Sequence, residues 1–589
     1  MLRVIVQTMF TGKPLLLPAW DARQPSRRRD GWQKINKPGM GDNSPTQNIA
    51  THLGIASKIS SEQTAIISAK AGAFQTRTFK ELHEDVKDCA AYLKSHGISK
   101  GDHVLLGVKP GFQLILISFA LFFLGAIPII IDPGMGVRAF LKCIKNTQPS
   151  ALIGISLMHL IGKFFPNSFK SIENKVLVRS KHFLKEIKQK KERLIPTPST
   201  AVEEDLAAIV FTSGSTGVPK GVSYTHQLFN SQINHLKNNF GIQEGEKDLA
   251  TLPIFALFNP ALGVTSVIPD MNPRKPSLAD GKKIVRTIQE FEITTAFASP
   301  VIGQKIYTAC KSKNLTLPKV KRVFLAGAPS HPSLVEKLSN IISNGTVILP
   351  YGATEALPIS ATNHKDVKIL AEDIAKGNGS CLGKPLRGNV VRIMPTTFSP
   401  FESGPNCPKE MDKGKVGEIC VSGSIVSKEY FKMPGATFDS KFNDGKLNFH
   451  RMGDLGYFDS QGFLRFLGRK VERILTPDGP LETERCEPII NAIEGISRSA
   501  LIGIGLGQTK QPCIVVELSK DVKKNILKSI KKEIHTSLKI RFPEHSFPYV
   551  IFEKSLPVDS RHNAKIHRLS LSKRWTKKVL KKPSKYLFS

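Results

Sequence analysis

The feature of this sequence that most constrains its fold is a short apolar run that opens into a loop of glycines and hydroxylated residues. The run Leu206–Val210 leads through Phe211 into Thr-Ser-Gly-Ser-Thr-Gly-Val-Pro-Lys-Gly, which ends at Gly221. Glycines let a backbone approach an anion closely with its N–H groups pointing inward, while hydroxyls and Lys220 add hydrogen-bond donors and positive charge. The pattern therefore predicts a buried strand that ends in a phosphate-binding loop.

This loop differs from two other glycine-rich patterns. A Walker loop needs Gly-Lys-Ser/Thr, whereas here Pro219 precedes Lys220 and Gly221 follows it. A flexible Gly/Ser linker explains neither the fixed Pro-Lys-Gly ending nor the apolar run before the loop. The candidate phosphate-binding residues are Thr212, Ser213, Gly214, Ser215, Thr216, Gly217 and Lys220.

Helical and short apolar segments alternate from about residue 50, which is typical of βαβ units and parallel sheet. Phe79–Ser95 and Phe112–Leu124 have helical patterns, and a short apolar run at His103–Val108 lies between them. Antiparallel strands are predicted at 417–423 and 456–467, and a smaller α+β unit follows. The predicted fold class is α/β, with a large N-terminal body of parallel and mixed sheets with helices and a small α+β C-terminal lid.

The segment Phe112–Ile131 is long and apolar enough to suggest a membrane span. Gly125 and Pro128 separate its helical half from a β-branched half. A helix followed by a buried strand explains the segment, so we expect it in a protein core rather than in lipid.

Composition excludes several classes of protein. Apolar residues make up 40% and charged residues 23% of the 589 residues, which is typical of a globular chain rather than a disordered or fibrous one. The 8 cysteines contain no C-x-x-C pair. This argues against a disulfide framework and a structural zinc site, and favours a reducing, cytoplasmic compartment.

Basic residues outnumber acidic ones by 84 to 49, which gives a net charge of +35. Such an excess attracts polyanions, including nucleic acid, anionic lipid and nucleotides. Residues 1–39 carry a net +6 and residues 561–589 a net +10, and the remaining excess is diffuse, which argues against nucleic acid as the main partner. Basic residues at 573–582 interleave with Trp, Val and Leu, a pattern that suits either peripheral contact with the inner membrane surface or a solvated tail.

Further motifs, in chain order, resemble those of the adenylate-forming superfamily of acyl-CoA synthetases, luciferases and peptide-synthetase adenylation domains. The phosphate loop is one of them, and the resemblance covers about residues 45–570. The other matching motifs are Ala326-Gly327-Ala328-Pro329, Tyr351-Gly352-Ala353-Thr354-Glu355, Met452-Gly453-Asp454, Gly468-Arg469 and Asn563-Ala564-Lys565-Ile566-His567-Arg568.

The resemblance implies which residues bind the nucleotide. Tyr351 is expected to pack on adenine, while Asp454 and Arg469 bind the ribose hydroxyls. The remaining nucleotide-binding candidates lie in the loops beside adenine and the acyl pocket and are Gly327, Ala328 and Gly352.

The same resemblance implies the catalytic residues. Attack of a carboxylate on the α-phosphate of ATP brings two anions together, so the site has to neutralise charge that builds in the transition state. Thr354 is expected to contact the α-phosphate, Glu355 to help hold Mg²⁺, and Lys565 to reach the carboxylate and α-phosphate. With Lys220 these are the candidate catalytic residues, and ATP and Mg²⁺ are the implied cofactors.

At several positions this chain departs from the usual residues of the superfamily, and these departures narrow the resemblance to one subfamily. Many acyl-CoA synthetases have a His after the Leu-Pro-x-Phe stretch, where this chain has Ala256, and the usual Asp or Lys of the hinge is Val471. Asn563-Ala564 replaces Ser-Gly in the C-terminal motif. The segments 255–263, 266–273, 351–360, 450–459 and 557–566 are similar to the β-lactone synthetases of bacterial long-chain olefin biosynthesis.

In that subfamily a 2-alkyl-3-hydroxy fatty acid is adenylated, and its own β-hydroxyl then displaces AMP to close a four-membered lactone. The resemblance implies an apolar acyl pocket at Phe255, Ala256 and Phe258, and interaction with other proteins of the olefin pathway. Three alternatives stay open: a long-chain fatty acyl-CoA ligase that uses CoA, an acyl-AMP ligase that loads a carrier protein, and a basic membrane- or nucleic-acid-binding protein with a degenerate adenylation fold.

The motifs also predict the domain organisation. Residues 45–468 form an AMP-binding N-terminal domain, 469–571 a C-terminal lid and 572–589 a basic tail. Residues 1–44 are a basic extension without the pattern of a secretory signal, so translation from Met1 and translation from Met40 both stay open.

Overall fold

The computed structural model describes residues 48–70, 73–179, 182–189, 196–212, 219–252, 254–519, 522, 524–558, 565–582 and 586. These residues all lie within one compact unit, 46–589. The predicted basic extension at 1–44 and the alternative start at Met40 lie outside the described residues.

The described strands are numbered in chain order. They are β1 (Thr64–Lys70), β2 (Ala73–Thr78), β3 (His103–Gly107), β4 (Ile127–Ile131), β5 (Ala151–Gly154), β6 (Asn174–Leu177), β7 (Leu206–Thr212), β8 (Lys220–Thr225), β9 (Lys247–Ala250), β10 (Thr265–Ile268), β11 (Thr295–Ala298), β12 (Arg322–Leu325), β13 (Thr346–Ala353), β14 (Ala356–Asn363), β15 (Ser380–Cys381), β16 (Lys384–Pro385), β17 (Val390–Met394), β18 (Gly417–Ser422), β19 (Lys441–Asn443), β20 (Asn448–Phe458), β21 (Leu464–Arg469), β22 (Ile474–Thr476), β23 (Gly479–Leu481), β24 (Ile496–Ile504), β25 (Gln511–Leu518) and β26 (Tyr549–Glu553).

The described α-helices follow the same convention. They are α1 (Ala50–Ile59), α2 (Phe79–Ser95), α3 (Phe112–Leu124), α4 (Val137–Thr147), α5 (Ser156–Phe164), α6 (Phe183–Lys188), α7 (His226–Phe240), α8 (Asn259–Leu262), α9 (Gly281–Glu290), α10 (Pro300–Lys311), α11 (Pro332–Ile341), α12 (His364–Ile369), α13 (Ala371–Ala375), α14 (Pro434–Ser440), α15 (Thr483–Asn491), α16 (Leu527–Arg541) and α17 (Arg568–Lys581). Local sequence fixes many of their ends: at the start of α2, for example, Thr78 and Glu81 form a reciprocal capping box.

The strands assemble into two large, mainly parallel sheets and a third, antiparallel one. The first sheet has the order β16-β14-β13-β12-β11-β9-β10-β1-β2, with antiparallel pairs at its edges. The second has the order β6-β5-β3-β4-β7-β8 and is parallel except for β7 and β8. The third has the order β15-β21-β20-β18-β17, with β19 on β20. This architecture confirms the predicted α/β class.

The apolar segment Phe112–Ile131 lies in the main core, as predicted. It forms α3 and β4, and Gly125 ends the helix in a left-handed conformation with φ of 72°. Phe119 and Phe122 are buried in a cluster that also contains residues of both large sheets. Among the described residues, none of the helices combines the length and the apolar character needed to cross a bilayer.

The chain after Arg469 forms a smaller α+β lobe, also as predicted. Its sheet has the order β24-β25-β26, with α15 and α16 packed in one apolar cluster and α17 in another. Helix α16, which begins at Leu527 and ends at Arg541, is rich in lysine. Helix α17 runs through the predicted boundary at 571/572, and its apolar residues Trp575 and Val579 are buried.

Candidate active site

The nucleotide-binding candidates Tyr351, Asp454 and Arg469 come together from three strands. Asp454 on β20 is the register partner of Arg469 on β21, and its carboxylate lies 2.9 Å from the guanidinium. The Tyr351 hydroxyl, on β13, donates a 2.7 Å hydrogen bond to the other carboxylate oxygen. Burial raises the pKa of the Asp454 carboxyl, and Arg469 and Tyr351 oppose that rise. The three side chains therefore form one preorganised polar group.

Thr354 and Glu355 form the tight turn between β13 and β14. Gly352 fits this hairpin because a Cβ there would lie 2.6 Å from the Ala356 carbonyl oxygen. The Tyr224 hydroxyl donates to the Thr354 carbonyl at 2.8 Å, and the Tyr430 hydroxyl donates to Oε1 of Glu355 at 2.8 Å. Strand β13 continues to Ala353, so Tyr351 and Gly352 lie within the strand.

Lys220 begins β8 and lies close to the Glu355 turn. Its ammonium nitrogen lies 4.7 Å from the ring centroid of Tyr430, the residue that bonds Glu355. Thr212 at the end of β7 is the register partner of Lys220, so the ends of the phosphate loop are held together. The loop candidates Ser213, Gly214, Ser215, Thr216 and Gly217 lie outside the described residues.

Gly327 and Ala328 follow the carboxyl end of β12. Tyr351 lies near the carboxyl end of the neighbouring strand β13. Phe324 of β12 pairs in parallel with Ile348 of β13, so the residues just after each strand reach the same edge. Gly327 has a φ of 89° and is exposed.

Lys565 belongs to the C-terminal lobe, and its charge reaches the nucleotide-binding candidates. Its charge lowers the pKa values of both Asp454 and Glu472 against the larger effect of burial. Ile566 next to it forms a β-bridge with Val558, and Arg568 bonds Glu487 at 2.6 Å. The charge of Lys565 thus acts on Asp454 and Glu472 from the C-terminal lobe, while Asn563 and Ala564 lie outside the described residues.

The pocket candidates Phe255, Ala256 and Phe258 lie in a helical turn after β9. The Phe255 ring stacks on Phe297 with centroids 5.1 Å apart, and Phe297 stacks on Phe324 at 4.4 Å. Ala256 is fully buried. These contacts connect the segment to β11 and β12, and thereby to the strand that precedes Gly327.

A buried polar cluster joins the segments 255–263 and 266–273. The Asn259 side-chain amide donates to Asp248 at 2.9 Å and to the Ser266 hydroxyl at 3.0 Å. Burial raises the pKa of the Asp248 carboxyl to about 7. The sequence analysis missed Asp248, because one acidic residue near a short apolar run gives no signal of its partners.

Three further residues beside the Glu355 turn were missed: Tyr430, Lys441 and His450. Lys441 on β19 pairs with His450 on β20, and its ammonium lies 3.4 Å from the His450 Nδ1. Burial lowers the pKa of Lys441 to about 7, while Glu355 and Glu429 oppose that change. His450 opens the segment 450–459 that carries the resemblance, but its pairing with Lys441 across the sheet is visible only in the structure.

The chemistry of the turn fits Mg²⁺ that is held mainly by phosphate oxygens. Such ions take one or two carboxylates from the protein and keep water or substrate phosphate as their other ligands. Glu355 supplies a carboxylate beside Lys220. In the part of the chain that the structure describes, no cluster of His, Cys, Asp and Glu forms a complete metal site.

Comparisons with known proteins show the family of this chain. The family model described as AMP-binding enzyme matches residues 56–431. The olefin beta-lactone synthetase of Stenotrophomonas maltophilia is 37% identical over 507 residues, which cover 84% of this chain and 91% of that protein. The olefin beta-lactone synthetase of Xanthomonas campestris is 36% identical over 564 residues, or 90% of this chain and 99% of that protein.

Solved structures of adenylate-forming enzymes share the fold. The ATP-bound MatB of Rhodopseudomonas palustris has a TM-score of 0.74 at 19% identity and covers 90% of this chain and 99% of its own. The O-succinylbenzoate coenzyme A synthetase of Bacillus subtilis in complex with AMP has a TM-score of 0.71 at 21% identity and covers 90% and 98%. The predicted adenylate-forming fold is thereby confirmed.

Proposed function

Because this chain belongs to the AMP-binding enzyme family, we propose that it activates a 2-alkyl-3-hydroxy fatty acid with ATP and closes it to a β-lactone. The other products are AMP and pyrophosphate. The observation that carries this proposal is the similarity to two olefin β-lactone synthetases over nearly their whole length.

The first step is adenylation of the acid. A carboxylate oxygen attacks the α-phosphorus of ATP, the bond from that phosphorus to the bridging oxygen breaks, and pyrophosphate leaves with the electron pair. Lys565 stabilises the charge on the carboxylate and α-phosphate, and Lys220 interacts with the outer phosphates. Mg²⁺, when bound, neutralises phosphate charge, and Glu355 is the residue that would hold it. Tyr351, Asp454 and Arg469 orient the nucleoside.

The second step closes the ring. The β-hydroxyl oxygen attacks the carbonyl carbon of the acyl-adenylate, the bond to the AMP oxygen breaks, and the hydroxyl proton passes to solvent. Because the nucleophile is already part of the substrate, the lid does not have to build a passage for pantetheine. Val471, in place of the usual Asp or Lys of the hinge, is consistent with a lid that builds no such passage.

Product analysis tests the proposal. Purified protein is incubated with ATP, Mg²⁺ and a synthetic 2-alkyl-3-hydroxy acid, with and without CoA, and the products are analysed by liquid chromatography and mass spectrometry without heating. We expect loss of one water from the acid and release of AMP without CoA. A thioester that forms solely with CoA would assign the protein to the CoA ligases instead.

The role of Lys565 is tested by ATP–pyrophosphate exchange, which reports adenylation alone. We expect Lys565→Ala to lower exchange by about a hundredfold or more, as losses of a preorganised charge-stabilising group do. Lys554→Ala, at an exposed lysine of the same lobe, is the matched control and should exchange like the wild type. Equal exchange by Lys565→Ala and the wild type would contradict the assignment.

A further inference from the structure

Lys441 places a half-buried amine beside the segment that holds Glu355. Its ammonium donates a hydrogen bond to the Ser427 carbonyl and lies 3.4 Å from Nδ1 of His450. Ser427 in turn donates its backbone N–H to the Glu355 carbonyl at 2.8 Å. A short chain of hydrogen bonds therefore connects the Lys441 charge to Glu355.

The same segment also connects Lys441 to Lys220. Tyr430 follows Ser427 by three residues, bonds Oε1 of Glu355 and carries the Lys220 ammonium over its ring at 4.7 Å. Burial lowers the pKa of His450 well below its usual value, and the charges of Lys441 and Lys220 lower it further. The charges of Lys441 on β19 and Lys220 on β8 therefore both act on His450.

Stability alone does not account for a lysine at this position. A buried ammonium loses its hydration, and an apolar side chain of similar size would fill the space without that cost. The carboxylates of Glu355 and Glu429 compensate the Lys441 charge through space. The Ser427 hydroxyl is buried and has no hydrogen-bond partner among the described residues, which leaves a polar group unused beside the lysine.

We propose that Lys441 is a positioning residue for the polyphosphate end of ATP, which holds residues 427–430 and Glu355 in the arrangement that receives the phosphates. The inference rests on the proposed adenylation reaction. ATP carries several negative charges at this end, which favour the protonated form of Lys441, and the resulting ammonium in turn stabilises the bound nucleotide. Lys441 acts through Glu355 and Tyr430 and takes no part in bond making.

The test measures MgATP binding by calorimetry without the acid, and ATP–pyrophosphate exchange over a range of Mg²⁺ concentrations. We expect Lys441→Met to weaken MgATP binding about tenfold and to raise the Mg²⁺ concentration for half-maximal exchange similarly, with the KM for the acid unchanged. Lys441→Arg keeps the charge and should recover most of the affinity. Lys446→Met, at an exposed lysine in the turn between β19 and β20, is the matched control.

The outcomes separate this inference from the proposed function. Wild-type MgATP affinity in Lys441→Met, or no recovery in Lys441→Arg, would overturn the inference. A lower melting temperature with unchanged MgATP affinity would also overturn it, because Lys441 would then be purely structural. If Lys441→Met does not fold, Lys441→Gln replaces it under the same criteria. A wild-type protein that does not bind MgATP would overturn the proposed function instead.

Discussion

A single carboxyl group, that of Asp248, illustrates how burial changes the chemistry of a residue that anchors the predicted acyl-pocket segment. Its partner Asn259 belongs to that segment and also bonds Ser266. Burial disfavours the charged carboxylate and raises its pKa to about 7, so the neutral acid predominates in acidic and weakly acidic solution. The folded protein therefore keeps a proton that the unfolded chain releases.

This retained proton predicts a pH dependence of stability. Because the folded pKa lies above the unfolded one, Asp248 makes folding progressively less favourable as pH rises from about 4 to about 7, by about 4 kcal/mol at most. Asp248→Asn removes this effect, so we expect the melting temperature of the variant, relative to the wild type, to rise between pH 5 and pH 8. The exposed Asp478→Asn is the control. Parallel melting curves for Asp248→Asn and the wild type across that range would contradict the prediction.

Residues in the site differ in how far the sequence could predict them. Asp454 and Arg469 belong to short motifs whose residue types suggest their roles, yet the family resemblance, rather than their spacing, grouped them with Tyr351. Lys441 and His450 become neighbours through the pairing of β19 and β20. Pairing of that kind depends on tertiary structure, so the sequence around Lys441 and His450 does not indicate that the two residues are neighbours.

At the scale of elements, helix α17 shows why an amphipathic pattern alone does not identify a membrane-binding segment. In the sequence, the pattern of basic and apolar residues predicts either membrane contact or a solvated tail. The structure buries Leu571, Trp575 and Val579 against the C-terminal sheet, while Lys573 and Lys577 are exposed. Peripheral membrane contact stays a prediction, and it would depend on the basic face and the exposed Leu569 and Leu580, because the buried apolar side chains are occupied by packing.

The packing of α17 gives a prediction for Trp575. Its ring lies in a cluster with Ile502, Leu571 and Val579, and its indole N–H donates to Glu553. We expect Trp575→Ala to destabilise the protein by about 3 to 5 kcal/mol, the usual cost of such a large cavity. The exposed Lys577→Ala on the same helix should leave the melting temperature nearly unchanged. A solvated tail would instead give the same small effect for both variants.

At the scale of the whole molecule, one loop of the N-terminal body docks the C-terminal lobe. Arg541 of α16 donates to the Lys376 carbonyl at 3.1 Å and to the Asn378 side chain at 2.6 Å. The Ser380 hydroxyl bonds Glu484 of α15 at 2.6 Å. Because Lys565 belongs to the docked lobe, these contacts help to set its position relative to Asp454.

Gly377 makes this docking testable. It has a φ of 79°, and a Cβ there would lie 2.2 Å from the Arg485 carbonyl oxygen, so an added methyl group has to push the lobe away. We expect Gly377→Ala to lower ATP–pyrophosphate exchange about tenfold or more, because small displacements of a catalytic group are costly. Gly101→Ala is the matched control: its φ is 83°, but no atom lies within 4 Å of the new Cβ. Both variants bear the cost of a left-handed alanine, so a larger loss of exchange in Gly377→Ala isolates the steric effect on the lobe. Equal exchange rates in the two variants would show that adenylation does not depend on this docking contact.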